Sequence, residues 1–371
     1  METFHVHGIK IVFLVIGMYS GGAERVISNL ANHYVRDNNV TIISCMQCKS
    51  EYPLDAKITY YCLDASKEDR YKSKPVRLIA RRKALIQILK NIQPDVTISF
   101  LPEPCMIAVL AGRKFTGKLI VSERDDPATL YGHGLTSRIF NLVYGKADGF
   151  VLQTQGAYDY FNTRTVKKAT IIPNPLNPVY LDVHFQPEKN KTITMVGRIE
   201  RKKNYVLAIN AFAKIADKYQ GWKLAIYGSK TDTVEIEKLI ARLDLRDRIE
   251  LCGRIDDVKS VLLTAGVYLL SSDYEGMPNA LMEAMACGAP SVSTDCPCGG
   301  PNDLIEDGVN GLLVSVKDVD ALASALDRLI SDREYANRLG ENAMEIAERL
   351  NPERIYSMWD ECINSVLTNG I

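Results

Sequence analysis

The chain has 371 residues, 46% hydrophobic and 24% charged, with forty-five basic side chains balanced by forty-five acidic ones. That is the composition of a globular chain of about two domains, and zero formal net charge excludes a global field that would draw nucleic acid. Nine cysteines, an odd number scattered from Cys45 to Cys362, suit a reducing compartment, so a cytoplasmic setting is expected.

Two cysteine pairs raise the question of a metal or redox site: Cys45 with Cys48, and Cys296 with Cys298. Zinc would need the two pairs to converge, and nothing in the spacing requires it, so buried or incidental thiols are expected. The Asp pairs at 125–126 and 256–257 lack accompanying ligands at calcium or magnesium spacing. No metal and no cofactor are expected. The first apolar run, Ile9 to Ile16, is short, follows Glu2 rather than a basic stretch, and reads as a buried strand, not a targeting segment. No apolar stretch approaches the roughly 20 residues that span a bilayer.

Short apolar runs alternate with amphipathic stretches, the pattern of an α/β chain with parallel strands covered by helices. In chain order, strands are predicted near Lys10–Ile16, Val40–Ser44, Val96–Ser99, Lys118–Ser122, Gly149–Leu152 and Thr170–Ile172. Between Ile172 and Pro178, three prolines forbid helix and mark a hinge. Further strands follow near Thr192–Val196, Lys223–Tyr227, Ile249–Cys252, Val267–Leu270, Ser291–Ser293 and Leu312–Val314. Beyond Val319 only helical patterns remain. The domains expected are 1–175 and 176–350, each Rossmann-like, with a terminal helix in 351–371, carrying Trp359, packing back on the first.

Ligands of open parallel sheets gather at the carboxyl ends of strands, so the loops leaving them carry the chemistry. After the first strand, Ser20-Gly21-Gly22-Ala23-Glu24-Arg25 opens a helix. This is either an anion contact at a helix N-terminus or a tight turn. From Lys74 to Ile92, a helix opening at Pro75 places Leu85, Ile88, Leu89 and Ile92 on one face and Lys74, Arg77 and Arg81 along another edge. Such a helix suits an anionic membrane surface or a lipid-linked diphosphate, or else packs on the core with a solvated basic face. Ser122-Glu123-Arg124-Asp125-Asp126-Pro127 puts four charges straight after a buried strand, as a surface turn or as one wall of a binding cleft.

Gly197-Arg198-Ile199-Glu200-Arg201-Lys202-Lys203-Asn204 follows the first strand of the second domain. Arg198 can fork onto phosphate oxygens and Lys203 can add a point charge, neutralising a diphosphate without a metal; the alternative is a solvated basic turn. In Ser271 to Ala284, Pro278 suits a first helical position, so Gly276 to Ala280 would present backbone N–H groups to a diphosphate. Glu275 precedes that helix. Glu283, over a turn into it, suits the vicinal hydroxyls of a ribose.

The order Gly197-Arg198, Lys203-Asn204, then Glu275 and Glu283, with the early Gly21-Gly22, Gly253-Arg254-Ile255 and the late Gly299-Gly300-Pro301 and Asp307-Gly308 runs, resembles retaining glycosyltransferases of family 4. The resemblance covers nearly the whole chain and is nearest to bacterial enzymes that extend polyprenyl-diphosphate-linked glycans. It implies a GT-B fold, two Rossmann-like domains facing each other across a cleft, with acceptor bound by the first and donor by the second. It implies that Arg198 and Lys203 bind the donor diphosphate and Glu283 the ribose. Glu275, Gly276, Met277, Pro278 and Asn279 contact sugar and phosphate, and Ile255 beside Arg254 contacts the base.

A UDP-sugar donor, hexose or N-acetylhexosamine transfer with retention, a lipid-linked acceptor and peripheral attachment to the cytoplasmic face of the inner membrane follow as expectations. Glu123, Arg124 and Asp125 fall on the sugar or acceptor side. Two positions depart from the family pattern. Arg124 stands where many relatives have histidine, and Gly228-Ser229-Lys230 where Gly-x-Gly is commoner. A catalytically silent sugar-nucleotide-binding partner, a transferase for soluble acceptors and an epimerase are the alternative readings.

Overall fold

The computed structural model describes residues 5–19, 21–46, 49–64, 73–229 and 233–368, without the side chain of Lys74. Glu2, Ser20, Cys48 and Lys230 lie outside the described residues. The chain divides into two compact units, Met1–Pro175 with Glu353–Ile371, and Leu176–Pro352.

The first unit contains β1 (Lys10–Val15), β2 (Asn39–Ser44), β3 (Thr59–Cys62), β4 (Val96–Phe100), β5 (Lys118–Ser122), β6 (Gly149–Leu152) and β7 (Ala169–Ile171). They form one sheet in the order β3-β2-β1-β4-β5-β6-β7, with every pairing parallel. The central strands are buried on both faces, which explains why they read as continuous apolar runs rather than alternating ones. β3 was missed by sequence reading: it is an edge strand, Thr-Tyr-Tyr-Cys, alternating exposed and half-buried residues, with no apolar run to announce it.

The helix Pro352–Thr368 belongs to this unit. Its Trp359 is fully buried, with its ring 6.0 Å from that of Phe100, and the Tyr34 hydroxyl donates to Asp360 Oδ1 at 2.9 Å. Gly149 on β6 lets the helix come close, since a Cβ there would lie 2.8 Å from Val366 Cγ2.

The second unit contains β8 (Thr192–Val196), β9 (Lys223–Tyr227), β10 (Ile249–Gly253), β11 (Val267–Leu270), β12 (Ser291–Thr294) and β13 (Leu312–Val314). Their order is β10-β9-β8-β11-β12-β13, again wholly parallel. The helix Tyr205–Ala216 lays Leu207, Ile209 and Phe212 into a core shared with Ile193, Leu224 and Ile226 of the sheet and Leu322, Leu326 and Leu329 of the helix Val319–Ser331. In both units the strand order reverses beside the first strand, so each is doubly wound and Rossmann-like. The reversal opens a crevice beyond the carboxyl ends of β1 and β4 in one unit, and of β8 and β11 in the other.

Candidate donor site at the strand switch point

The loops leaving β8 and β11 meet at the switch point of the second unit, and four hydrogen-bonded contacts lock them together. Asp273 N–H donates to the Lys202 carbonyl at 2.8 Å, and Ser271 Oγ to the Lys203 carbonyl at 2.8 Å. Asn204 Nδ2 donates to Asp273 Oδ1 at 2.8 Å, and Lys203 Nζ donates to Glu275 Oε1 at 2.5 Å. Asn204 itself sits at φ 45°, a left-handed conformation that asparagine tolerates, and its side chain accepts from Leu207 N–H to open the helix Tyr205–Ala216. The sequence from Arg201 to Asn204 is therefore a short 3-10 turn whose last residue is a helix cap, and this geometry turns Lys203 inward toward Glu275.

Glu275 is 6% exposed and also accepts from Ser272 Oγ at 2.7 Å. Burial pushes its carboxyl up, but the charges of Lys203 and Lys202 and the two hydrogen bonds outweigh that and hold it below the ordinary glutamate value. It is a carboxylate at neutral pH, fixed beside a cation. Burial likewise raises the Tyr205 phenol, whose hydroxyl donates to the Gly197 carbonyl at 2.9 Å and fixes the start of the loop.

Two glycines permit close backbone packing around this constellation. A Cβ on Gly300 would lie 1.7 Å from the Gly276 carbonyl oxygen, and one on Gly228 would lie 2.0 Å from that of Gly197. The segment 297–300 buttresses the Glu275 loop from behind: Glu275 N–H donates to the Pro297 carbonyl at 2.7 Å and Cys298 N–H to the Glu275 carbonyl at 3.0 Å. Sequence reading missed this supporting role of Ser271, Ser272, Asp273, Pro297 and Cys298. The only available signal was the Gly299-Gly300-Pro301 run. Cys296 and Cys298 are buried free thiols; burial pushes the Cys296 thiol up to about 12, so it is protonated at neutral pH.

Pro278 occupies the N-cap, not the first helical position expected from sequence, and the helix runs Asn279–Ala286. The extended ψ of 100° at Pro278 delays the first turn by one residue. Gly276, Met277 and Pro278 are buried and Asn279 is half-buried. Glu283 is 3% exposed and accepts from the Tyr180 hydroxyl at 3.3 Å. Arg198 is elsewhere: its side chain is 60% exposed and pairs with Glu200 at 2.8 Å, so Lys203 and Glu275 converge while Arg198 stays on the rim. Arg254 is exposed and Ile255 half-buried in the loop after β10.

In the first unit, Gly21 caps the helix Gly22–Tyr34, and a Cβ on it would lie 2.1 Å from Glu24 Oε2. The anion expected at this helix terminus thus has a competitor in the chain's own Glu24. The Glu123–Asp126 loop is no surface turn. Glu123 is buried and accepts from the Tyr131 and Tyr144 hydroxyls and from the N–H groups of Arg124 and Asp125. Burial raises its carboxyl, which these donors partly oppose. Arg124 is 8% exposed, its guanidinium 5.1 Å from the Phe100 ring centre and 5.5 Å from that of Trp359. Its Nη1 donates to Asn174 Oδ1 at 3.2 Å, while Nε and Nη2 have no hydrogen-bond partner among the described residues. Asp125 is half-buried and Asp126 caps the helix Pro127–Tyr131.

The basic edge expected on the helix Lys74–Ile92 is corrected. Arg81 is 1% exposed, forked onto Asp64 at 2.8 and 2.6 Å and paired with Glu103. A buried guanidinium must be neutralised, and its partners come from residues 17 and 22 positions away, beyond the reach of a helical-spacing argument. Arg77 stands beside Glu103 at 3.8 Å, with a largely buried side chain. The Lys74 side chain lies outside the described residues.

Comparison with known proteins bears on the family and the fold. Residues 179–346 match the model of glycosyl transferases group 1, and residues 20–179 that of Glycosyltransferase Family 4. The chain is 28% identical over 365 residues to the Campylobacter jejuni enzyme named GalNAc-alpha-(1->4)-GalNAc-alpha-(1->3)-diNAcBac-PP-undecaprenol alpha-1,4-N-acetyl-D-galactosaminyltransferase, covering 96% of this chain and 99% of the relative. It is 25% identical over 367 residues to the amylovoran biosynthesis glycosyltransferase AmsD of Erwinia amylovora, covering 96% and 99%. Among solved structures, Anabaena Alr3699/HepE in complex with UDP and glucose superposes with a TM-score of 0.80 at 18% identity, covering 96% of this chain and 100% of that one. With family models spanning both Rossmann-like units and relatives aligned along nearly their whole length, the chain belongs to glycosyltransferase family 4 and is a glycosyltransferase of the GT-B class.

Proposed function

We propose that the chain transfers a hexose or N-acetylhexosamine, with retention of anomeric configuration, from a UDP-sugar to a hydroxyl of a polyprenyl-diphosphate-linked glycan in surface polysaccharide or glycoconjugate synthesis. The observation that carries this reading is the Lys203–Glu275 ion pair, held at the switch point by the hydrogen bonds between two strand-end loops. Negative charge develops on the departing diphosphate, and a preorganised cation with helix N–H groups lowers the barrier there without a metal. Lys203 and Arg198 neutralise that charge, Arg198 swinging from the rim. The backbone of Gly276, Met277 and Asn279 adds donors, and Pro278, which has no N–H, fixes the turn. Glu275, ionised and tied to Lys203, steers the sugar and does not attack it.

Glu283 takes the ribose hydroxyls, Arg254 and Ile255 flank the base, and Gly197 allows close approach. Gly21 and Gly22 offer a further anion contact. Arg124 and Asp125 serve the sugar side, with Glu123 holding their loop. Residues 1–175 and 176–350 then divide as acceptor and donor domains, with 351–371 carried on the first. The donor class rests on the neighbour crystallised with UDP and glucose, and the acceptor class on relatives named for undecaprenol-linked substrates.

No helix of the described residues is long and apolar enough to cross a membrane. We place peripheral attachment to the cytoplasmic face of the inner membrane on the helix Leu135–Tyr144, where Leu135, Ile139 and Leu142, at positions i, i+4 and i+7, are 73%, 42% and 66% exposed next to exposed Arg138. Arg77 and Lys74 remain acceptor-side candidates; Arg81, buried in its ion pairs, leaves that set.

A panel of UDP- and GDP-sugars tested by thermal shift, followed by turnover on an undecaprenyl-diphosphate-linked acceptor, decides the matter. A UDP-sugar should raise Tm, and the product should keep the donor's anomeric configuration. Stabilisation by no nucleotide sugar, or an inverted product, overturns the proposal. Binding without turnover would assign the chain to the silent-partner reading instead.

A further inference from the structure

Away from the donor site, His33 lies in the last turn of the helix Gly22–Tyr34, about 16 Å along that helix from Gly22. Its imidazole is 8% exposed and stacked on Tyr356 with centroids 4.0 Å apart, yet neither Nδ1 nor Nε2 has a hydrogen-bond partner among the described residues. Leaving two buried ring nitrogens idle costs free energy. His5 and Asp360 stand beside it, and one ligand atom from each of the three lies within 4.8 Å of the others.

The hydrogen bonds around His5 sharpen the case. His5 Nε2 is 3.0 Å from Asp37 Oδ2, so that nitrogen carries a proton. His5 Nδ1 then faces Asp360 Oδ2 at 3.4 Å, while Asp360 Oδ1 already accepts from the Tyr34 hydroxyl. In neutral His5 these are two lone pairs pointed at each other, and a positive charge belongs between them. A second proton on His5 would satisfy that pair but leave His33 without a partner. A metal ion engages all three residues at once, taking one ring nitrogen of His33.

The His5 Nδ1 to Asp360 Oδ2 separation of 3.4 Å matches a shared ion, and the His33 ligand atom lies within 4.8 Å of both. Zinc bonds of about 2.0–2.1 Å at tetrahedral angles set neighbouring ligand atoms roughly 3.3 Å apart. Asp37 on His5 and Tyr34 on Asp360 are the outer partners that orient such ligands. The charged groups reaching His33 are Glu353, Asp360, Arg36 and His5, and with Asp37 the three carboxylates outnumber the cations.

We propose that His5, His33 and Asp360 form a structural site for a divalent ion of the zinc class, which pins the N-terminal segment and the helix Pro352–Thr368 to the helix Gly22–Tyr34. Two imidazoles and a carboxylate suit zinc, with cobalt as its spectroscopic substitute. The site takes no part in sugar transfer and does not depend on the reading of the donor site.

The test uses the untagged full chain, stripped with chelator. Zinc titrated by calorimetry should bind at one ion per chain, cobalt should develop the visible bands of tetrahedral coordination, and zinc should raise Tm by several degrees. His33→Ala and Asp360→Asn should each weaken binding by about tenfold or more, while His7→Ala, outside the cluster, keeps it. Should His33→Ala fail to fold, His5→Ala at the exposed corner makes the same test. No binding at micromolar zinc, or binding untouched by the His33 and His5 variants, overturns the site.

Discussion

Gly300 presses on the Gly276 carbonyl so closely that a Cβ would lie 1.7 Å from its oxygen. The contact is backbone against backbone, so no flexible side chain can give way, and Pro278 Cδ closes the same space at 3.1 Å. Gly300→Ala must therefore displace the Glu275–Pro278 loop. Overpacking of this kind costs about 1–3 kcal/mol, and the shifted loop should lose donor affinity by tenfold or more while the fold survives. Calorimetry with the donor and a melting curve read both effects. Unchanged affinity in the folded variant would mean that the loop's position does not matter to the donor.

Lys203→Met tests the ion pair through its pH dependence. In the wild type the folded Glu275 value lies below the unfolded one, so its contribution is present at neutral pH and is lost as pH falls through the depressed value. Without Lys203, burial is opposed only by Lys202 and Ser272. The folded value then rises, and stability is lost instead as pH climbs past the unfolded value. The variant's deficit should widen between about pH 4 and about pH 7 to roughly 3 kcal/mol, the scale of a broken buried pair. A deficit that stays flat across that range would show that Lys203 does not hold Glu275 ionised.

The doubly wound sheets were legible because both faces of each central strand are buried, leaving runs such as Ile11–Val15 and Val267–Leu270 with no other plausible setting. Lys203 and Glu275 could be read from the sequence as charged residues in strand-end loops, and Glu283 as a carboxylate about one turn into a helix. Two things were not. The sequence carries no sign that Asn204 and Asp273, or Pro297 and Glu275, are bonded, because these contacts depend on strand order. The exposure of arginines was also misread: Arg81 and Arg77 share a helix edge by spacing, but Asp64 and Glu103 arrive from other elements and bury it.

The stripe of Leu135, Ile139 and Leu142 carries the membrane proposal in place of that edge. Replacing all three with serine removes exposed apolar surface without opening the core, so Tm should hold within a few degrees. Flotation with anionic vesicles should weaken by tenfold or more, and donor binding, which we assign to the other unit, should not change. Vesicle binding equal to the wild type would move the membrane contact elsewhere.

Arg81 should behave as a structural residue. Its Nε and Nη2 fork onto Asp64 and its Nη1 meets Glu103, so Arg81→Met leaves a buried carboxylate without its cation. The expected loss is about 3–5 kcal/mol, visible as a large fall in Tm, and Arg81→Lys should recover only part of it because the fork is lost. A small change in Tm would show that Asp64 finds water or another donor at once.

Arg124 is buried almost as deeply and is the opposite case. Among the described residues only one of its guanidinium nitrogens has a hydrogen-bond partner, Asn174; the guanidinium lies over the Phe100 and Trp359 rings, and burial lowers its affinity for the proton. A cation held with so few partners contributes little to the fold, since neighbouring Glu123 already has four donors of its own. Arg124→Met should therefore change stability by no more than about 1 kcal/mol, as apolar replacements of buried charges often do. If the guanidinium is kept for the sugar or acceptor, the same variant should lose tenfold or more in kcat/KM with donor affinity nearly intact. A fall in Tm comparable to that of Arg81→Met would make Arg124 a structural residue, and full activity in a stable variant would remove it from the site.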